Sequence, residues 1–229
     1  MEQANVRGSS PHHLIPEGPL LPFQQTVREY HLMLAGLLAA GNSDDLTLLA
    51  VALPSFEPEY LVGLRSRVST YENRDVHARV FFVRPAHPLW DYERLLMRNE
   101  SLWSSRNDAE INEMKSRLPV PWHERQIDAA VSEHLAKAWI GVIAQTRLPR
   151  HGWGMVLGGT RYRFSANTVR PSGLSRKFIS GTTHSPPSNS IPGQLVELVD
   201  SMVRYCDGTA DAGELERRAR ELIKRQNRL

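Results

Sequence analysis

The chain contains a single cysteine, Cys206, among its 229 residues. One thiol cannot form an intrachain disulfide, and zinc sites built from several cysteines are excluded. Lysine is also scarce, since the 28 basic residues include only four lysines. We interpret this preference for arginine as the codon bias of a GC-rich bacterial genome.

Long apolar runs are missing as well. The longest, from Leu46 to Leu53, contains Thr47 and is far shorter than the roughly 20 residues that span a bilayer. The first 21 residues mix charged residues with proline and glycine and lack the apolar core of a signal peptide. The sequence therefore predicts a cytoplasmic protein that has no membrane partner.

Carboxylates are absent from residues 134–196, although the net charge of the whole chain is only +3. This segment carries eight basic residues and no Asp or Glu. Such a segment creates a local positive field, which speeds association with anionic partners. Its basic residues are Lys137, Arg147, Arg150, Arg161, Arg163, Arg170, Arg176 and Lys177.

The apolar pattern in the first half of the chain predicts an α/β or α+β fold. Residues 46–53 read as a buried strand, and Ser55 is placed to cap a helix with Leu61 and Leu64 on one stripe. Residues 76–83 read as a second strand. Strand, helix and strand in this order predict a right-handed βαβ unit with parallel strands.

The remaining elements are predicted mainly as helices. We expect a small mixed sheet with a βαβ unit and a C-terminal β-hairpin, surrounded by helices. In chain order, the further elements are a helix over 23–40, helices between 88 and 136, a strand over 138–144, a hairpin of 153–157 and 160–165 around Gly158-Gly159, a loop over 166–191, and helices that begin at Pro192 and Asp211.

The sequence also predicts how the chain divides. We expect a flexible leader over 1–21, a single α/β domain over 22–208 that contains the long loop 166–191, and a charged C-terminal helix over 209–229.

Searches for catalytic, metal and cofactor motifs identify no site. The turn over 54–58 has no glycine and carries an acid, unlike a phosphate-binding loop, and no Gly-x-Ser-x-Gly turn is present. His123 and His134 lie eleven positions apart, about 16 Å along a helix, which is too far for one metal ion. We predict no catalytic residue, metal or cofactor. Whether the protein is an enzyme stays open, with His184 as a candidate base in the long loop.

Strand geometry decides how the basic residues around Thr160 can act. In a strand, Arg161 and Arg163 face one side while Tyr162 and Phe164 face the other. A base-stacking platform needs aromatic and cationic groups on one surface. The pattern therefore favours buried aromatic rings and arginines that face solvent.

Three segments of the C-terminal half form a further pattern: Val156–Phe164, Thr182–Pro186 and Pro192–Val196. This pattern resembles one in uncharacterised bacterial proteins. Because no activity is attached to those proteins, the resemblance implies no functional residue.

Three functions remain open from the sequence. The leading hypothesis is a non-enzymatic binding protein that engages an acidic protein partner, as immunity or adaptor proteins do. One alternative is nucleic-acid binding through phosphate contacts, and the other is an enzyme with a pocket at the carboxyl ends of parallel strands, near Ser55 and His87. The residues predicted to bind are Arg147, Arg150, Arg161, Arg163, Arg170, Arg176 and Lys177.

Overall fold

A computed structural model describes residues 13, 14, 34, 37, 45–67, 77–89, 120–147, 158–169 and 176–228 of the chain. Within these ranges the fold is one antiparallel sheet of six strands with three long helices. The strands are β1 (Leu46–Pro54), β2 (Tyr60–Arg67), β3 (His77–Val83), β4 (Trp122–Ile127), β5 (Thr160–Val169) and β6 (Arg176–His184), and the helices are α1 (Ala129–Ala144), α2 (Ile191–Cys206) and α3 (Ala212–Gln226).

The sheet order is β4-β3-β2-β1-β5-β6, and every neighbouring pair is antiparallel. The expected mixed α/β character is confirmed, but the parallel βαβ unit is wrong. Only five residues, 55–59, connect β1 to β2. A parallel pair needs a crossover of about a dozen residues or more, whereas a connection this short joins antiparallel strands.

The helix expected to carry Leu61 and Leu64 is strand β2. The apolar spacing misled the prediction because both faces of the sheet are covered. Leu61 packs in the cluster on one face and Leu64 in the cluster on the other, so apolar side chains do not alternate with polar ones.

The larger core lies between the sheet and the three helices, on a side we call the helical face. Trp139 of α1 and Phe164 of β5 are fully buried there, with ring centroids 5.5 Å apart at 82°. The strand expected over 138–144 is therefore wrong. Val131, Leu135 and Trp139 are all buried on α1, because the helical period continues through this segment.

The smaller core lies on the opposite side of the sheet, which we call the second face. Leu34 and Leu37 are helical and buried against it, as is Leu89. The other residues of the helix expected over 23–40 lie outside the described residues. Of the helices expected between 88 and 136, residues 90–119 also lie outside the described residues. The last part of that range forms strand β4 and the beginning of α1.

Hairpin and loop predictions near the C-terminal half need correction. Strand β5 is paired with β1 on one side and β6 on the other, so its hairpin partner is 176–184 rather than 153–157. Residues 153–157 themselves lie outside the described residues. The expected loop over 166–191 is wrong because it contains the end of β5, all of β6 and the first residue of α2.

Polar composition concealed strand β6. Its buried residues are small or hydroxyl-bearing, among them Gly181, Thr182 and Thr183. A Cβ at Gly181 would lie 2.9 Å from the Leu14 Cβ, so the strand packs closely against this N-terminal residue. Leu14 is fully buried, and its carbonyl oxygen accepts a hydrogen bond from the Arg147 amide at 3.1 Å.

The last two helices begin where the sequence predicts. Ser190 caps α2 by accepting a hydrogen bond from the Gly193 amide, and Asp211 caps α3 by accepting one from the Glu214 amide. Leu215, Ala219 and Leu222 bury one stripe of α3 in the larger core, while its charged residues lie elsewhere. The division into leader, domain and terminal helix stays a prediction.

Candidate binding surface on the basic arm

Strands β5 and β6 form a hairpin at one end of the sheet order, which we call the basic arm. The two strands contain four basic residues and no carboxylate. One side of the arm is joined to the rest of the sheet by the seven-residue register between β1 and β5, from Leu48–Ala166 to Pro54–Thr160.

The predicted separation of aromatic and basic side chains along β5 is confirmed. Phe164 is fully buried on the helical face, and the partly buried Tyr162 packs against the same core. Arg161 is exposed and Arg163 is half-buried on the second face, where they are opposite Leu53 and Val51 of β1. The rings therefore anchor the arm, and the arginine at its end faces solvent.

Of the seven predicted binding residues, only some can be placed. Arg147 is exposed just after α1, and Lys177 is exposed near the start of β6. The backbone of Arg176 pairs with Val169. Arg150 and Arg170 lie outside the described residues.

The described basic residues are spread along the arm rather than gathered in one patch. Arg161 pairs with His184, whereas Lys177 pairs with Thr168. Thr168 lies seven positions after Arg161 on β5, which corresponds to roughly 23 Å of strand. The alternation of the strands also places Arg161 and Lys177 on opposite faces. Arg161 and Lys177, the two basic residues of the arm that are described as exposed, therefore lie far apart on it.

Phe178 is an exposed aromatic residue of the arm that was not among the residues predicted to bind. It follows Lys177, and 57% of its surface is exposed, although it lies within a strand. Its pairing with Asn167 places it on the same face as Arg163 and Arg161. The sequence does contain a signal for it, because Phe178 is an aromatic residue within the basic segment 134–196, which has no carboxylate.

The β1–β2 connection brings a second exposed aromatic residue near the opposite end of the arm. Ser55 at the tip of the β1–β2 hairpin donates from its amide (3.0 Å) and its hydroxyl (2.9 Å) to the Gly159 carbonyl oxygen. The next residue, Phe56, is 88% exposed. The tip of that hairpin is therefore held against the start of β5, and it includes the exposed Phe56.

A polar cluster supports β5 from the helical face. Burial raises the pKa of Tyr60 well above its usual range, and the neighbouring Tyr162 and Asp200 raise it further. Burial also raises the pKa values of Tyr162 and Asp200. The two tyrosines stay neutral near pH 7, so the cluster supplies hydrogen-bonding groups between the sheet and α2 rather than a nucleophile.

Catalytic and metal chemistry find little support in the described residues. Burial raises the pKa of Cys206 to about 12, so this thiol is not an activated nucleophile. The parallel strands at whose carboxyl ends a pocket was expected, near Ser55 and His87, do not occur in the described sheet, which is antiparallel. In the ranges that the structure describes, no three His, Cys, Asp or Glu side chains are grouped to hold a metal ion.

No helix among the described residues is both long enough and apolar enough to cross a bilayer.

Comparisons with known proteins give no relative for this chain: no protein-family model, no curated protein and no solved structure matches it.

Proposed function

We propose that this protein is a non-enzymatic binding protein of the bacterial cytoplasm that engages an acidic protein partner through the basic arm, as immunity or adaptor proteins do. The observation that carries the proposal is the arm itself. It presents basic residues without any carboxylate, beside an exposed Phe178.

The combination of side chains favours a protein partner. Protein interfaces are enriched in aromatic residues and arginine, with an apolar anchor surrounded by a polar rim. Phe178 supplies such an anchor, and Lys177 and Arg161 supply basic positions around the arm. Their separation gives an acidic protein surface several contact points along the hairpin.

The same separation disfavours nucleic acid. Strong phosphate binding needs several cations directed at one backbone, and its affinity falls steeply with salt as counterions are released. The exposed Arg161 and Lys177 lie on opposite faces of the arm, so a phosphate backbone that runs along either face meets only one of them. Aromatic stacking at β5 is excluded because Phe164 is buried.

Partner capture from the native host, with and without nuclease, tests the proposal. A protein with an acidic surface should copurify at a fixed ratio and stay bound after nuclease treatment. Loss of all cargo on nuclease treatment would indicate nucleic-acid binding, and recovery of no cargo would overturn the proposal.

Charge reversal then locates the contact. Arg161→Glu and Lys177→Glu should each weaken binding of the purified partner. The matched controls are Arg228→Glu and Lys224→Glu, which make the same charge changes at exposed positions at the end of the chain and on α3. Equal weakening by both pairs would show that the net charge of the protein, not the arm, governs binding.

A further inference from the structure

The corner where β1, β5 and β6 meet brings several hydrogen-bonding side chains together. Arg161 lies opposite Leu53 on one side and His184 on the other. Beyond this row, the Ser185 amide donates to the Thr160 carbonyl oxygen at 2.9 Å, and the Ser185 hydroxyl oxygen accepts from the Thr160 amide at 3.0 Å. The register of three strands therefore fixes this corner.

Gly159 brings the side chains of His184 and Ser185 close to each other. A Cβ at Gly159 would lie 2.2 Å from the Ser185 Oγ and 3.2 Å from the His184 Cε1. The two side-chain atoms are therefore at most 5.4 Å apart, the sum of these distances. Any side chain larger than that of glycine at this position would displace them.

The backbone of the corner is unusual at the same place. Gly158 and Gly159 have φ values of 80° and 90°, and Ser185 has φ of 37°. Ser185 is the one non-glycine residue with positive φ in the described part of the chain. Such conformations cost free energy and cluster at functional sites, where the surrounding structure holds them in place.

The His184 ring has one nitrogen directed inward. Its Nδ1 is buried without a hydrogen-bond partner, so a proton on Nδ1 would be an unsatisfied buried donor. We assign the proton of the neutral ring to Nε2, which places the N–H donor on the partly exposed side of the ring. Burial, and then the charge of Arg161, lower the pKa of His184 and keep the ring neutral near pH 7.

The charge balance of the corner defines its ligand. Arg161 is exposed, and no carboxylate of the described residues pairs with it. Glu57, on the adjacent hairpin, pairs instead with Arg84 at 3.5 Å. The corner thus combines one positive charge with the hydroxyl of Ser185 and the N–H of His184, which matches a singly charged ligand with two acceptor oxygens.

We propose that the corner formed by Gly159, Arg161, His184 and Ser185 binds a carboxylate group, supplied by an Asp or Glu side chain of the acidic protein partner. Arg161 donates charge-assisted hydrogen bonds, and Ser185 and His184 donate one hydrogen bond each. That the carboxylate comes from a protein partner rests on the proposed function. That the corner binds a carboxylate does not depend on it.

Nuclear magnetic resonance of the full chain tests the site without the partner. The His184 Cε1–H signal, assigned with His184→Gln, is followed at pH 7.5 and constant ionic strength during titration with N-acetylglutamate amide. N-acetylglutamine amide is the neutral control ligand. We expect a saturable shift with the acid and none with the amide.

Variants decide whether the shift reports the corner. Arg161→Gln should weaken the saturable binding by about tenfold or more, since a charge-assisted hydrogen bond is lost. Arg228→Gln, an exposed control, should leave it unchanged. A linear shift, an equal shift with the neutral amide, or full binding by Arg161→Gln would overturn the proposal. If that happened while partner capture still depended on Arg161 and Lys177, the proposed function would stand without this site.

Discussion

The two phenylalanines of the basic arm give the most informative test of the structure, because one residue type occupies two opposite environments. Phe164 is fully buried, with its ring centroid 5.5 Å from that of Trp139 and 6.0 Å from that of Tyr162. Phe178, on the neighbouring strand, is 57% exposed. Each Phe→Ala change leaves the charge of the protein unaltered.

Phe164→Ala should lower the free energy of unfolding by about 3–5 kcal/mol, the usual cost of emptying a buried phenylalanine site. Domains are stable by only about 5–15 kcal/mol in total, so much of the stability would be lost. Phe178→Ala should change stability by no more than about 0.5 kcal/mol, as other exposed substitutions do. The two variants would thereby distinguish the residue that anchors the arm in the core, Phe164, from the residue proposed to contact the partner, Phe178.

Urea unfolding followed by far-ultraviolet circular dichroism measures both variants. The midpoint of Phe164→Ala should fall sharply with little change in slope, while Phe178→Ala should superimpose on the unsubstituted protein. Similar losses in both variants would refute the assignment of opposite faces. An unaffected Phe164→Ala would refute the burial of β5 against α1.

Three further predictions concern other parts of the molecule. Hydrogen bonds from Arg218 and Arg204 lower the pKa of Glu214 below its usual 4.5. The contribution of Glu214 to stability is therefore present above pH 4.5 and is lost as the pH falls through the pKa of the folded state. Over that pH range, the difference in unfolding free energy between the unsubstituted protein and Glu214→Gln should shrink. Cys206, whose pKa is raised to about 12, should react with Ellman's reagent far faster in urea than in the native state; rapid native reaction at pH 8 would contradict its packing. Gly159→Ala should destabilise the protein by about 1–3 kcal/mol in thermal unfolding, because φ is 90° there and a Cβ would clash; an unchanged midpoint would argue against that backbone.

Elements governed by local signals could be predicted from the sequence. Strand β1 is an apolar run interrupted by Thr47, and α2 and α3 begin within one residue of their predicted starts, Pro192 and Asp211. The pairs Glu214–Arg218, Glu216–Arg220 and Arg217–Glu221 follow from i to i+4 spacing on one helix.

Elements that depend on tertiary partners could not be predicted in the same way. β2 lies between two strands and is apolar on both faces, so Leu61 and Leu64 show the three-residue spacing that is also typical of one face of a helix. β6 is rich in serine and threonine, and its place in the sheet depends on its pairing with β5. Topology follows from these long-range pairings, which apolar spacing within one segment does not encode.

The candidate surface was predictable in its charge but not in its shape. The absence of carboxylates from 134–196 identified the arm, and strand alternation correctly separated Arg161 from Phe164. The approach of His184 to Gly159 was not predictable, since it depends on the register between β5 and β6 and on a positive φ at Ser185.

Site-specific photocrosslinking tests the central claim, that the basic arm contacts an acidic protein, most directly. A benzophenone amino acid replaces Phe178 in one variant and Arg228 in a control, and both are irradiated in the native host. We predict one dominant adduct of a protein with an acidic surface at position 178 and no such adduct at position 228. Absence of a protein adduct at 178, or the same adducts at both positions, would contradict the account.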